Sequence, residues 1–128
     1  VKILQRSHEE EKALGIYMAQ SLSKATKLPA YQYLNAASRA RPIKEIPGLW
    51  IRNLLANRIY QCPVIFLEPY VMNNKQVHER IQLGDYKETK MIHGEEKKSI
   101  YREYAEAVVV ALKQYYLDYR IIYNAKGR

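Results

Sequence analysis

Glu68 closes a run of four large apolar residues, Val64, Ile65, Phe66 and Leu67, and Pro63 and Pro69 fence that run. A short apolar stretch rich in β-branched and aromatic types and bounded by prolines predicts a buried strand. A carboxylate at the end of such a strand costs free energy unless it is paired, solvated in a cleft or set beside a metal. In open α/β sheets the working site lies beyond the carboxyl ends of the strands, which is where Glu68 would stand. The chemistry on offer there is general acid–base catalysis. The plainer alternative is that Glu68 caps a turn or pairs with Arg52 or Arg58.

The other reactive residue types form no pattern. His8, His78 and His93 include no pair at His-x-x-x-His spacing, so the expectation for each is a surface histidine rather than a metal ligand. Cys62 is the single cysteine, which excludes an internal disulfide and a cysteine-based zinc cluster. Its place beside Pro63 at the head of the apolar run predicts a small buried hydrophobe. A formal charge of +8 favours anionic partners, but the basic residues, Arg39, Arg41, Lys44, Arg52 and Arg58 among them, are scattered and form no continuous arm.

Positioning Glu68 falls to a handful of elements. Ser7 and Glu10 have capping-box spacing, and Leu14, Tyr17, Met18, Leu22 and Ala25 then keep a 3.6 period, predicting a helix from His8 to Thr26 that Pro29 stops. Glu9, Glu10 and Glu11 suit the positive end of its dipole. Residues 30–48, with their prolines and basic tract, predict a loop. Leu49 to Arg52 is weighed as a strand beside Val64–Leu67 or as the start of a short helix, and the strand is preferred. Asn73 or Asn74 can cap a helix through Val77 and Ile81 that Gly84 ends. After a polar excursion from Asp85 to Gly94, Ser99 opens the strongest helix, whose stripe from Ile100 to Tyr119 predicts core packing, with Lys97, Lys98 and Arg102 able to pair with Glu103 and Glu106. The tail from Asn124 is expected to fray.

This order predicts an α/β fold, a mixed or mostly parallel sheet with helices packed on both faces. Two strands make a thin sheet, and the chain opens at Val1 without a methionine, so the expectation is an incomplete domain. At 48% hydrophobic and 27% charged the composition is that of a globular domain, and no stretch predicts a membrane span.

The stretch Pro63-Val64-Ile65-Phe66-Leu67-Glu68-Pro69-Tyr70-Val71-Met72-Asn73-Asn74 resembles the C-terminal signature of zinc-dependent N-acetylmuramoyl-L-alanine amidases, a Pro-x-Val-Leu-x-Glu strand followed by Gly-Phe and then Asn. The helix after Ser7 resembles the one preceding that strand, and Tyr104-Ala105-Glu106-Ala107-Val108 resembles the family's closing helix. The resemblance implies that residues 1–128 are the C-terminal portion of a single amidase-like catalytic domain. It implies a peptidoglycan hydrolase of the cell envelope or periplasm that cleaves the amide between N-acetylmuramic acid and L-alanine. In it Glu68 would pass a proton from zinc-bound water to the leaving amine, and Asn73 would be a turn or cap residue. Pro69-Tyr70 departs from Gly-Phe, and the family's His, Glu and His zinc ligands have no counterpart in this chain, which alone is expected neither to hold zinc nor to hydrolyse.

Two other readings stay open. One is a non-catalytic basic α/β module binding a polyanion through Arg39, Arg41, Lys44 and the nearby Tyr31 and Tyr33, although no nucleic-acid motif is present and nucleic acid is the weaker expectation. The other is a non-catalytic relative of the amidases that binds glycan strands or a protein.

Overall fold

The structure, a computed structural model, describes residues 8–33, 40–70 and 73–125. Its backbone is two long antiparallel helices, α1 (His8–Thr26) and α4 (Ile100–Ala125), with everything else laid along their flanks. Between them in the chain come β1 (Arg41–Pro42), β2 (Trp50–Ile51), α2 (Ala56–Ile59), α3 (Lys75–Gln82), β3 (Lys90–Ile92) and β4 (Glu95–Lys97).

α1 has the predicted bounds, with Glu9, Glu10 and Glu11 in its first turn. Ser7, its expected cap, lies outside the described residues. The apolar stripes bring α1 and α4 together around Met18, Ala107, Ala111 and Tyr115, all buried. Polar ties fix the register: Ser21 Oγ donates to Ala107 O at 2.7 Å, and the Tyr17 hydroxyl donates to the Asp118 carboxylate, whose pKa that hydrogen bond lowers. α4 stays helical through Asn124 to Ala125, beyond the point where fraying was expected.

α3 begins as predicted at Asn74, whose side chain accepts from Val77 N at 3.1 Å, and ends before Gly84, whose φ of +67° a side chain would strain. It packs on the start of α4 through Val77 and Ile100. Arg80 is buried there too, at 1% exposure. Its Nη2 lies 2.8 Å from Glu103 Oε2, in line for attraction but not for a well-aligned hydrogen bond, and donates instead to Lys98 O at 3.0 Å. Glu103 therefore pairs with Arg80 rather than with Lys97, Lys98 or Arg102. Lys98 takes Glu106, and Arg102 takes Asp85, whose carboxyl that bond holds below its ordinary pKa.

The expected mixed or mostly parallel sheet with helices on both faces is not what forms. Among the described residues there are two sheets of two strands each, β1–β2 and β3–β4, both antiparallel. Residues 63–70 have no regular structure and no ladder, so the predicted strand Val64–Leu67 is irregular chain lying on α1. Its two prolines lack the N–H groups a ladder needs, and the other long apolar run, Val108 to Leu112, is held inside α4. With no sheet between them, α1 and α4 bury their stripes against each other.

Trp50 and Ile51 do pair as a strand, but with Pro42 and Arg41 instead of with the apolar run. The Pro47-Gly48 pair makes the turn, with Leu49 N bonded to Ile46 O at 3.1 Å and Gly48 at φ +84°, as Pro and Gly at the two centres of a type II turn dictate. The polar excursion from Asp85 is partly ordered as the β3–β4 hairpin, turned by His93 and Gly94, both with positive φ. No helix among the described residues is long and apolar enough to cross a membrane.

Candidate functional site

The packing of residues 28–33 and 42–69 over one side of α1 encloses an open cleft of about 640 Å³, inside the ~300–1,000 Å³ range of small-ligand sites. Gly15 makes the close approach possible: a β-carbon there would stand 3.0 Å from Leu49 Cδ1 and 3.5 Å from Ile65 Cδ1. The apolar run is anchored at its start. Val64 N donates to Glu11 Oε1 at 2.9 Å, and Asn57 Nδ2 donates to the same oxygen at 3.2 Å and to Val64 O at 3.4 Å. A carboxylate of α1's first turn thus holds the segment that carries Glu68, a role the sequence did not reveal because it read Glu11 only as a partner of the helix dipole.

Glu68 lies on the cleft wall, on irregular chain rather than at a strand's end, and its side chain is 64% exposed. The Tyr33 hydroxyl donates to Oε2 at 2.7 Å, and Arg52 Nη1 lies 3.3 Å from Oε1. Of the two bases weighed as partners, Arg52 is the one that reaches it. An ionised carboxylate has about four acceptor positions, so two contacts leave room for a substrate proton. The ion pair is an exposed one, of the kind that contributes ~0–1 kcal/mol, and its effect is chiefly on where the carboxylate points. The hydrogen bond to Glu68 is the largest cause raising the Tyr33 phenol above its ordinary pKa, with burial adding to it.

An aromatic wall continues from this cluster. Tyr33 meets Tyr31 edge-on at 5.2 Å and Trp50 edge-on at 4.9 Å, and the Arg52 guanidinium stands 5.8 Å from the Tyr33 ring centre. Trp50 Nε1 donates to Tyr31 O at 3.3 Å, tying β2 to the segment that follows α1. Trp50 escaped the sequence reading as a site residue because its apolar neighbours Leu49 and Ile51 made it look like strand packing.

Tyr70, which stands where the amidase signature has Phe, turns away to α4, with ring centres 5.9 Å from Tyr101 and 5.6 Å from Tyr104. Burial raises the pKa of Tyr70 and pushes that of Tyr104 up to about 12. Cys62 is exposed, not the buried hydrophobe expected, because the run it heads lies on the molecule's flank.

Zinc does not fit this set of residues. Among the described residues no three His, Cys, Asp or Glu side chains gather as a metal site. His8 is at the cleft edge, His78 is on α3, and His93 is in the hairpin turn with Nε2 3.1 Å from Glu79 Oε2. Nor is the cleft basic. Lys12, Lys44 and Arg52 on its walls are matched by Glu11, Glu45 and Glu68, and Arg39 lies outside the described residues.

No protein-family model matches the chain, and neither a curated protein nor a solved structure does.

Proposed function

We propose that this chain supplies the acid–base carboxylate of a peptidoglycan amidase, with Glu68 in that role. The reading rests on the Pro63–Asn74 resemblance, and the observation that carries it is the state of Glu68. It is an exposed carboxylate on a cleft wall, aimed by Tyr33 and Arg52, with acceptor positions left over. Glu68 takes a proton from the attacking water as its oxygen bonds to the amide carbon. It returns that proton to the amide nitrogen as the C–N bond breaks. Arg52 and Tyr33 hold the carboxylate in place across both transfers. The metal and its ligands are no part of what the described residues provide, and no step is assigned to them. The function places the protein in the cell envelope or periplasm.

The cleft walls, with matched charges, lend no specific support to a polyanion-binding module, whose Arg39 lies outside the described residues. The test is release of stem peptides from purified peptidoglycan by the natural polypeptide that carries this chain, with zinc supplied. Glu68→Gln keeps the shape and removes the base, and a loss of roughly 10²–10⁴-fold is expected. Release at the parent rate by a folded Glu68→Gln protein would sink the assignment, as would no release by the parent.

A further inference from the structure

Of the aromatic wall beside Glu68, only the Tyr33 hydroxyl has a task in proton transfer; the rings themselves have none. Three rings, Tyr31, Tyr33 and Trp50, meet within 5.2 Å of one another in sequence along one side of a cleft. Tyr31, which lines the cleft, is 44% exposed. At the end of the row stand a guanidinium and a carboxylate 3.3 Å apart. Rings packed only for stability would be expected inside, and none of these three is among the buried residues of the α1–α4 core.

The chemistry of the wall selects its ligand. An apolar surface of aromatic faces and edges wants flat, weakly polar C–H surface. An adjoining donor–acceptor pair, Arg52 and Glu68, wants neighbouring hydroxyls, one to accept from the guanidinium and one to donate to the carboxylate. The matched charges on the walls, with Lys12, Lys44 and Arg52 against Glu11, Glu45 and Glu68, favour a ligand without net charge. A pyranose ring meets all three demands: C–H groups on its faces, hydroxyls around its rim and no charge. The volume of about 640 Å³ is larger than one such ring needs and is open at the side, so a chain of sugars can enter.

We infer that Tyr31, Tyr33, Trp50 and Arg52 form a saccharide subsite that seats a ring of a neutral oligosaccharide, with Glu68 accepting from its rim. The subsite shares its cleft with the proposed hydrolysis but does not need it: a sugar bound here is held whether or not Glu68 moves a proton.

Trp50 is the single tryptophan, so its fluorescence reports on the site directly. The chain is titrated with N-acetylglucosamine tetramer and with cellotetraose, and binding is checked by calorimetry. A saturable change in emission with at least one of the two is expected. Tyr31→Ala, at an exposed ring, and Arg52→Gln should each weaken binding about tenfold or more while the helical circular dichroism stays unchanged. Heparin, as a polyanion, should fail to compete. The inference is overturned by no saturable response to either sugar. It is overturned equally by binding that both variants leave intact, or by heparin displacing the sugar. Sugar binding in a protein for which Glu68→Gln changes no hydrolysis would remove the amidase and leave the subsite. Hydrolysis without sugar binding would do the reverse.

Discussion

Tyr104 shows how a single side chain can carry a measurable pH dependence without taking part in any chemistry. Its hydroxyl is buried with no hydrogen-bond partner among the described residues, and burial holds its proton up to about pH 12 against an ordinary value of 10.0. The unfolded phenol ionises near 10, so the unfolded state sheds its proton first and gains on the folded one as pH rises. Tyr104 therefore adds no pH dependence below pH 10, and stability falls on its account between 10 and about 12. Tyr104→Phe should leave stability at neutral pH equal or slightly higher, since an unpaired buried hydroxyl goes with it. It should also flatten the alkaline fall, read as urea midpoints at about pH 9 and about pH 11.5. A fall as steep as the parent's would mean that the phenol is solvated. At this scale the sequence was informative about Glu68 and Arg52, because a lone carboxylate after an apolar run and a base within reach are visible as residue types. It said nothing of Tyr33 as the hydroxyl that completes the cluster, because 35 residues separate it from Glu68 and only tertiary packing brings them together.

The helices were the legible elements, and their packing partners were not. The 3.6 period gave α1 its bounds and Asn74 gave α3 its cap, since both signals are local. The period of α4 did not reveal that Glu103, placed on the polar side by its charge, would be buried against Arg80. That pair is the polar core of the α3–α4 contact. Arg80 Nε and Nη1 are buried without a hydrogen bond among the described residues, so the guanidinium depends on Glu103 for compensation. Glu103→Ala should cost about 3–5 kcal/mol, because it strands a buried cation. Arg80→Met combined with Glu103→Leu should recover most of that loss, since apolar residues of similar volume are tolerated where a buried pair is removed as a unit. Urea unfolding of the three proteins checks this, and a double variant as weak as Glu103→Ala would show that the pair is worth more than its desolvation. The predicted sheet failed for the opposite reason: a strand is defined by its neighbours, and the apolar run has no strand beside it.

Across the whole molecule, stability is concentrated in the α1–α4 pair, and the segment from 40 to 70 is held to it by a few side chains, Glu11 and Asn57 foremost. The sequence conveyed the two long helices, but it assigned the centre of the fold to the wrong element. Val64–Leu67 is a flank, with Phe66 51% exposed, and not a core strand. A β-prone, uncharged run outside any sheet is a template on which other chains can stack. Here it is four residues long, with an imino acid at one end and a carboxylate and a second proline at the other. Stacking segments need about six or seven residues, so Pro63 and Pro69 act as gatekeepers that keep the run below that length. Pro63→Val would extend it from Cys62 to Leu67. That protein should begin with the parent's circular dichroism and then develop thioflavin fluorescence and light scattering sooner on warm incubation, whereas equal lag times would deny the proline this part. The residues that forbid Val64–Leu67 a place in a sheet thus also protect the chain from fibrillar self-assembly.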